Sequence, residues 1–345
     1  MTKILFGVCG VGAGHYIRSK VIIDHLSKKH EILIIAGLSA FTYLKKQYKN
    51  VYWVDGIEFG IKDDKIVSLN TLTKNLKKIS IKNYLNLKRL KKKVEEFKPD
   101  IVISDWELFT TLYARDKKLK TISVDNEHFI LYGQIKFDKK YRLDYYKTYL
   151  VSKLFKYGES IVIGLPGQKL RNEREATIVN PIIRRELTHL KPKNEGHILV
   201  YKSITNNQKL IDLFKKTKAR FIVYDCESEI TEGNVQFKKF EEKQFLKDLA
   251  NCRGVITTGG ITLISEAIYL KKPLLVIPIK KHFEQILNAE YVKEHNLGMM
   301  IEDLDLKTLN VFLLNLERFA TKKYEPGNKI LFEIIEHKIK ETIKK

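Results

Sequence analysis

The chain's 345 residues are enough for two domains, and its 44% hydrophobic content is that of an ordinary globular protein. No apolar run approaches the roughly 20 residues of a membrane-spanning helix, no signal-peptide pattern opens the chain, and Cys9, Cys226 and Cys252 lack the spacing of a disulfide framework or a zinc site. The net charge of +22 favours anionic partners such as nucleic acid, phospholipid headgroups or nucleotide phosphates.

Short β-branched runs alternate with longer segments of helical periodicity along the first half of the chain. In order they are KILFGVC, GHYIRSKVIIDHLSKK, EILIIAG, LSAFTYLKKQY and VYWV, followed by the strand-like runs PDIVISD (99–105), KTISVD (120–125) and ESIVIG (159–164). This alternation predicts βαβ units, in which a parallel sheet carries helices on both faces.

A second series of such runs opens at HILVY (197–201) and continues through ARFIVYD, RGVITTG, KPLLVIP and LGMMI. Between the two series, Pro181 and Pro192 bracket a polar stretch in the segment 178–196, which we interpret as a hinge. The predicted fold class is therefore α/β, with two doubly wound Rossmann-like domains, residues 1–180 and 181–325, and a cleft between them.

The last segment, NKILFEIIEHKIKETIKK, has the period of an amphipathic helix. Ile330, Ile334 and Ile335 are predicted to lie on its apolar side. We expect this C-terminal helix, residues 326–345, to pack back on the N-terminal domain.

Gly10, Gly12 and Gly14 lie between the first predicted strand and the first helix. A dinucleotide fingerprint would need a small residue where His15 stands and an acidic residue after EILIIAG, and a P-loop would need GK[ST] after its last glycine. The sequence has none of these. The turn is therefore either a plain tight turn or an anion-binding helix start, with the titratable imidazole of His15 at its mouth.

The segment 253–292 predicts a strand, a Gly259–Gly260 turn, a helix, a strand, a loop and a second helix. Thr262 and Glu266 are one turn apart and are expected on the exposed face of the first of these helices. Its buried face is predicted to consist of Leu263, Ile264, Ala267 and Ile268.

Polar groups in this segment have the distribution that a nucleotide sugar needs. A diphosphate can accept hydrogen bonds from the N–H groups after Gly260, and Glu266 can bind ribose hydroxyls one turn further on. Glu284, Gln285 and Asn288 place hydrogen-bonding side chains at the start of the next helix, where sugar hydroxyls can meet them.

These motifs resemble those of the GT-B nucleotide-sugar glycosyltransferases, particularly the branch of the N-acetylglucosaminyltransferase that makes lipid II, and its archaeal relatives. TGGITLISEA is similar to the family's donor-site turn and helix, and PIKKHFEQILNA to the segment that reaches the donor sugar. GVGAGH resembles the GGTGGH acceptor loop, SVDNEHFILYG stands where the family has its HEQN loop, and NPIIR matches the interdomain connection. YKSITNN departs from the family's glycine-rich phosphate loop.

The resemblance implies a role for individual residues of this chain. The implied donor-binding residues are Lys202, Ser203, Phe240, Gly259, Gly260, Ile261, Thr262, Glu266, Glu284, Gln285 and Asn288. The implied acceptor-binding residues are Gly12, Gly14, Arg18, Asn126 and His128. His15 or Glu127 is the expected catalytic base, which takes the proton of the acceptor hydroxyl. Asp105 lies at the same predicted sheet edge, where capping of the helix that begins near Trp106 is the alternative role.

The lysine-rich segment 76–97 has two interpretations. Leu87, Leu90, Val94 and Phe97 fall on one stripe of a predicted helix. The helix either covers the sheet with this stripe and leaves a solvated basic face, or docks on anionic lipid.

The sequence thus predicts an inverting, metal-independent glycosyltransferase that moves a sugar from a nucleoside diphosphate donor, expected to be a UDP-sugar, to a hydroxyl of a glycan or glycolipid. No metal or cofactor is expected, because Asp63–Asp64 is not a DxD motif and no His/Asp cluster has metal-ligand spacing. The alternatives are a UDP-sugar 2-epimerase on the same fold and a non-catalytic protein that binds nucleic acid or a membrane surface.

The expected partners and location follow from the same observations. Nucleic acid is not expected, because RNP-type aromatic motifs and zinc-finger spacing are absent. A nucleotide sugar and an anionic membrane surface are the expected partners. We therefore expect a cytoplasmic protein, or one bound peripherally to the inner face of the cell membrane.

Overall fold

The computed structural model describes residues 1–56, 61–62, 65–66, 81–201, 208–224, 229–319, 321 and 323–343. The chain divides into two compact units. Unit 1 comprises Met1–Ile183 with Pro326–Lys345, and unit 2 comprises Arg184–Glu325. Each unit is built on its own seven-stranded sheet, and this two-sheet α/β architecture is the predicted fold class.

The sheet of unit 1 is parallel, with strand order β3-β2-β1-β6-β7-β8-β9. Its strands are β1 (Lys3–Val8), β2 (Glu31–Ala36), β3 (Val51–Trp53), β6 (Ile101–Asp105), β7 (Thr121–Asp125), β8 (Glu159–Ile163) and β9 (Thr177–Val179). The short strands β4 (Ile61–Lys62) and β5 (Lys65–Ile66) form a separate antiparallel pair. Every residue of β6 and β7 is buried, as expected for strands that are covered on both faces.

The helices of unit 1 include those predicted after the first two strands, in the segment 76–97, near Trp106 and at the C-terminal end, together with two that the sequence pattern did not predict, Phe129–Tyr132 and Arg142–Phe155. They are α1 (Ala13–Leu26), α2 (Leu38–Lys45), α3 (Ile81–Phe97), α4 (Leu108–Lys117), α5 (Phe129–Tyr132), α6 (Arg142–Phe155) and the C-terminal helix, α13 (Asn328–Ile343). The strand order reverses between β1 and β6, which makes this point of the sheet edge the place where open α/β sheets bind ligands.

Unit 2 repeats the plan with strand order β12-β13-β11-β10-β14-β15-β16; of the strands that the structure describes here, β12 and β13 pair antiparallel and the others pair parallel. Its strands are β10 (His197–Tyr201), β11 (Arg220–Tyr224), β12 (Ile230–Glu232), β13 (Val235–Phe237), β14 (Gly254–Thr257), β15 (Leu274–Val276) and β16 (Gly298–Met300). Its helices are α7 (Arg185–Thr188), α8 (Gln208–Lys215), α9 (Glu242–Asn251), α10 (Ile261–Tyr269), α11 (Phe283–Glu294) and α12 (Leu306–Leu314). The reversal of strand order here lies between β10 and β14.

The apolar face of α13 differs from the predicted one. Leu331, Ile335 and Ile339 are fully buried in the main hydrophobic cluster of unit 1. Ile334 only packs against the edge of this cluster, and Ile330 is 56% exposed. The residue one turn before Ile335 is Leu331, and these two side chains share the buried face. The prediction that Ile330 lies on this face was therefore wrong by one residue.

Two other segments also refine the sequence interpretation. The predicted hinge, 178–196, begins inside β9, which pairs with β8 as the edge strand of unit 1. In α3, Leu90 and Val94 are buried in a core cluster against which Phe97 packs, whereas Leu87 is exposed. The second half of the α3 stripe thus covers the sheet. Residues 76–80 and Asp63–Asp64 lie outside the described residues.

Within the described part of the chain, no helix combines the length and the apolarity that crossing a bilayer requires.

Candidate active site

Asp105, the last residue of β6, is the centre of a buried polar group at the reversal point of unit 1. Its carboxylate is fully buried. Its Oδ1 lies 2.8 Å from Nδ1 of His15, and its Oδ2 accepts hydrogen bonds from Nε of Arg18 and Oγ of Ser19, each at 2.8 Å. These three partners all lie on the first two turns of α1. The end of β6 is thus joined to the helix that follows β1.

The capping role considered for Asp105 was wrong. Helix α4 is capped by Glu107, whose carboxylate accepts from the backbone N–H groups of Phe109 at 2.8 Å and Thr110 at 2.6 Å. The Asp105 carboxylate does not cap α4 and instead bonds side chains of α1.

The loop after β7 completes the group. Arg18 donates from its guanidinium to the side-chain oxygen of Asn126 and, at 3.2 Å, to Oε2 of Glu127. Nε2 of His15 lies 3.2 Å from the other carboxylate oxygen of Glu127. Four of the predicted site residues, His15, Arg18, Asn126 and Glu127, are thus in direct contact with each other or with Asp105.

The charges in this group shift its pKa values in opposite directions. Burial disfavours the imidazolium of His15, but Cys9 and the carboxylates of Glu127 and Asp105 outweigh burial and raise its pKa well above the usual value. Burial likewise opposes the charged form of Glu127, but the attraction of His15 and Arg18 lowers the pKa of that carboxyl. The imidazolium form of His15 and the ionised form of Glu127 therefore stabilise each other.

His15, Asp105 and Glu127 also form a group of potential metal ligands, with donor atoms within 4.8 Å of one another. Sequence spacing alone did not reveal this group, because its members meet only in the folded chain, and the absence of a metal requirement stays a prediction. The guanidinium of Arg18 already bonds both carboxylates, so a metal ion here would have to overcome the repulsion of a buried cation.

The remaining acceptor-loop residues flank this group. His128 is buried, and its Nδ1 lies 2.7 Å from Oδ2 of Asp125, whose charge outweighs burial and raises the pKa of the imidazole. Its other ring nitrogen, Nε2, has no hydrogen-bond partner among the described residues. Gly12 precedes α1 with a φ of +83° and has open space where a Cβ would stand, and Gly14 lies in the first turn of this helix.

The Gly259–Gly260 turn in unit 2 joins β14 to α10. Gly259 has a φ of +105°, and a Cβ there would lie 3.0 Å from the backbone oxygen of Gln285. Gly260 is the N-cap of α10 and offers no side-chain cap, while a Cβ at this position would meet nothing within 4 Å. The helix start, with Ile261 and Thr262 in its first turn, is thus reached from open space.

The structure overturns the expected exposure of Glu266. Its side chain is buried and accepts two hydrogen bonds from Arg184, at 2.7 Å from Nε and 2.6 Å from Nη2. Arg184 also donates to Glu242 at 3.0 Å. The face of α10 that carries Glu266 is therefore packed, and a buried ion pair fixes this carboxylate.

The sequence did not lead us to expect Arg184 in this site. It is buried, and although burial opposes its charge, Glu266 outweighs burial and raises the pKa of the guanidinium. The available signal was NPIIR, which was assigned only to the connection between the domains.

The polar residues at the start of α11 lie against the same turn. Asn288 is buried and donates from its side-chain amide to the backbone oxygen of Gly259 at 3.0 Å and to Glu284 at 2.7 Å. Gln285 is half-buried and accepts from the N–H of Ile279 at 3.0 Å. The amide group of Asn288 thus holds the glycine turn in place.

Phe240 is 38% exposed at the edge of an aromatic cluster, with ring centroids 5.3 Å from Phe245 and 6.2 Å from Tyr201. Lys202 and Ser203 lie outside the described residues.

Proteins of known sequence and structure place this architecture among the glycosyltransferases. A crystal structure of Acinetobacter baumannii MurG superposes with a TM-score of 0.60 at 14% identity, covering 98% of this chain and 100% of that one. The fold is therefore that of a two-domain GT-B glycosyltransferase, a class of enzymes that transfer sugars. The model of the family described as "Glycosyl transferase family 1" matches residues 2–317, so the chain belongs to this family.

Two relatives resemble the chain over most of its length. A Thermosipho melanesiensis protein named UDP-N-acetylglucosamine--N-acetylmuramyl-(pentapeptide) pyrophosphoryl-undecaprenol N-acetylglucosamine transferase is 25% identical over 296 residues, which cover 80% of each chain. An uncharacterized glycosyltransferase of Methanosarcina acetivorans is 26% identical over 333 residues, which cover 86% of this chain and 82% of that one.

Proposed function

We propose that the chain transfers a sugar from a UDP-sugar to a hydroxyl of a glycan or lipid-linked glycan, with inversion and without a metal ion. The observation that carries this proposal is the contact between the half-buried His15 and the buried Asp105 at the reversal point of unit 1. The Thermosipho relative is named for UDP-N-acetylglucosamine and a pyrophosphoryl-undecaprenol acceptor, which makes these the first substrates to test.

The donor half of the proposal rests on the Gly259–Gly260 turn. Open space at Gly260 lets a diphosphate approach the first N–H groups of α10, where the helix dipole also favours negative charge. Glu266 is held by Arg184 and keeps lone pairs that can accept from ribose hydroxyls. Glu284 and Gln285 are the proposed contacts of the sugar.

The acceptor half rests on the geometry of His15. Nδ1 of its imidazole faces Asp105, which fixes the ring and stabilises the imidazolium that forms when Nε2 takes a proton. We assign His15 rather than Glu127 as the base, because a carboxyl with a lowered pKa binds a proton weakly. When an acceptor binds, its hydroxyl would take the place of the Glu127 carboxylate beside Nε2 of His15.

The proposed reaction is a single displacement. The acceptor oxygen gives its proton to Nε2 of His15 and forms a bond to the anomeric carbon, while the bond from that carbon to the diphosphate breaks. The diphosphate leaves with the electron pair and is stabilised by the N–H groups after Gly260, assisted by Lys202 or another cation. Attack from the face opposite the leaving group inverts the anomeric centre.

The test begins with a panel of nucleotide sugars in a thermal-shift assay, since a ligand that binds only the folded state raises its stability. Transfer is then measured with the donor that binds, in the presence of EDTA. His15→Ala should lower turnover by about two to four powers of ten, the usual effect of removing a positioned base. Donor affinity should not change, because the proposed donor contacts all lie in unit 2.

His189→Ala, which removes an exposed histidine, is the matched control and should retain full activity. Full activity of His15→Ala, or loss of transfer in EDTA, would overturn the proposed mechanism. Release of UDP without any acceptor would instead favour the 2-epimerase.

A further inference from the structure

Trp53 ends β3 with its side chain 39% exposed, although tryptophan is on average a strongly buried residue. The ring is nevertheless fixed in position. Its Nε1 donates a hydrogen bond to Oδ1 of Asp55 at 3.2 Å, and the ring of Phe41 on α2 packs against it nearly at a right angle, with centroids 5.3 Å apart. The exposed part of the indole is therefore a rigid apolar surface that nothing in the proposed reaction uses.

The sheet register places Trp53 in the same row as Asp105 of the candidate active site. Val8 of β1 pairs with Asp105 on one side and with Ala36 of β2 on the other, and Ala36 pairs with Trp53. Residues that pair in register across a parallel sheet project to the same face. Trp53 and Asp105 thus lie at the same edge and on the same side of the sheet, three strand spacings or about 14 Å apart.

The loops between these two positions pack closely on one another. A Cβ at Gly10 would lie 2.7 Å from the backbone of Gly37, and a Cβ at Gly37 would lie 2.6 Å from the carbonyl oxygen of Val54. Oγ of Ser39 also donates a hydrogen bond to the backbone oxygen of Gly10 at 3.0 Å. The loops after β1, β2 and β3 therefore form one continuous surface, which runs from the start of α1 to Trp53.

Asp55 adds a hydrogen-bonding group beside the ring. One of its carboxylate oxygens accepts from Trp53, and the other, Oδ2, has no partner among the residues that the structure describes. A pyranose ring has an apolar face of C–H groups and a rim of hydroxyls, so it is bound by an apolar surface that adjoins a hydrogen-bond acceptor. The exposed indole and this carboxylate supply both.

We propose that Trp53 and Asp55 bind a sugar ring of the acceptor that is distant from the reacting hydroxyl. The inference rests on the proposed function and deepens it by naming the acceptor class. A separation of about 14 Å is more than a single sugar ring spans, so the acceptor is an oligosaccharide that extends from His15 to Trp53. A monosaccharide would leave this second position empty.

The first test uses the tryptophan fluorescence of the full-length protein. The chain has two tryptophans, and Trp106 is only 8% exposed, so quenching by acrylamide reports mainly on Trp53. The probes are oligomers of N-acetylglucosamine, glucose and mannose, from the monosaccharide to the pentasaccharide. The longer oligomers of at least one sugar should protect Trp53 from acrylamide, whereas its monosaccharide should not. A lack of protection by every oligomer would overturn the proposal.

The second test measures by calorimetry the affinity for the oligomer that protects best. Trp53→Ala should weaken binding about tenfold or more, because the apolar face of the sugar loses its partner. Trp53→Phe keeps a flat ring and should bind within about threefold of the wild type. Asp55→Ala should also bind more weakly, since a sugar hydroxyl loses its acceptor. Thermal unfolding and UDP affinity should be unchanged in all three variants.

The matched control is Tyr146→Ala on α6, which removes another exposed aromatic ring, 48% exposed. This variant should bind the oligomer as the wild type does. Equal losses in Tyr146→Ala and Trp53→Ala, or wild-type affinity in Trp53→Ala, would overturn the proposal. Protection of Trp53 at high protein concentration without any sugar would assign the ring to a contact with a second copy of the chain, and would overturn it as well.

Transfer assays separate a sugar-binding role of Trp53 from a purely structural one. In Trp53→Ala, kcat/KM should fall for the oligosaccharide acceptor and remain unchanged for the monosaccharide, mainly through a higher KM. An equal fall for both acceptors would contradict the proposed position of the sugar chain. The fluorescence and calorimetric tests do not depend on transfer. Oligomer binding at Trp53 without any transfer would therefore count against the proposed function alone.

Discussion

At the scale of single residues, both candidate sites contain a buried carboxylate. Asp105 in unit 1 and Glu266 in unit 2 are both buried, and each is bonded by an arginine. A buried carboxylate without such a partner would be costly, so each pair stabilises the geometry around it. The two sites differ in that His15 adds a titratable group to the first.

The raised pKa of His15 predicts the pH dependence of transfer. A base must be unprotonated, so kcat/KM should rise with pH through an apparent pKa above 6.5, the usual value for histidine. Glu127→Gln removes one of the charges that raise this pKa. The pH at which kcat/KM rises, the acidic limb of the rate–pH profile, should therefore move to lower pH. A rate–pH profile of both proteins checks this. If Glu127→Gln instead lowers the rate at every pH by two or more powers of ten without moving the limb, Glu127 is the base.

The Arg184–Glu266 pair predicts a stability effect that an exposed glutamate would not have. Glu266→Ala should lower the free energy of unfolding by about 3–5 kcal/mol, because Arg184 stays buried with only Glu242 as partner. Glu294→Ala, at an exposed position of α11, should change it by no more than about 0.5 kcal/mol. Denaturant unfolding of the two variants provides the comparison. Equal stabilities would mean that the ion pair is not formed in solution.

At the scale of elements, each site lies where a strand passes into a helix. In unit 1 the loop between β1 and α1 and the end of β6 supply the groups, and in unit 2 the turn between β14 and α10 supplies them. Asn288 on α11 fixes that turn by a hydrogen bond to Gly259. The helices thus place polar groups at the sheet edge, and neighbouring elements hold them there.

The two glycines of the second turn should respond differently to alanine. Gly259→Ala should destabilise the fold by about 1–3 kcal/mol, because φ is +105° and the new Cβ would lie 3.0 Å from the Gln285 oxygen. Gly260 has a φ of −64°, and open space surrounds the position of a Cβ there. Gly260→Ala should therefore leave the stability of the fold unchanged. Its methyl group would nevertheless obstruct the diphosphate and weaken donor binding. Thermal unfolding with nucleotide calorimetry tests both, and unchanged affinity in Gly260→Ala would contradict the proposed phosphate position.

At the scale of the whole molecule, the two units differ in continuity. Unit 2 is one uninterrupted stretch with its own sheet and hydrophobic cluster, whereas the core of unit 1 includes Leu331, Ile335 and Ile339 from the far end of the chain. The C-terminal helix is therefore part of the first unit's core, although unit 2 precedes it in the sequence.

This difference predicts how fragments behave. A fragment of residues 184–325 should unfold cooperatively and bind UDP, because all proposed donor contacts lie within it. A fragment of residues 1–183 should not fold stably, since it lacks the three apolar side chains that fill its core. Circular dichroism and calorimetry of the two fragments check this, and addition of 326–345 to the second should restore its folding. A stable 1–183 fragment would show that α13 is dispensable.

The sequence by itself determined the alternation of the main strands and helices and the positions of the two candidate turns. Apolar runs of strand length that alternate with helical segments are local features, and local features define β1, β6 and β7 or the Gly259–Gly260 turn without knowledge of the rest. The motifs at these turns indicated the GT-B family for the same reason.

Only the tertiary structure decided which of these residues meet. Asp105 reaches His15 across 90 positions of sequence, and Glu266 reaches Arg184 across 82. Such contacts depend on strand order and register, which no local pattern encodes. The same holds for burial: a helical period groups apolar side chains on one face but does not reveal what covers that face. Leu150 on α6 therefore remains exposed, while Ile335 on α13 is fully buried.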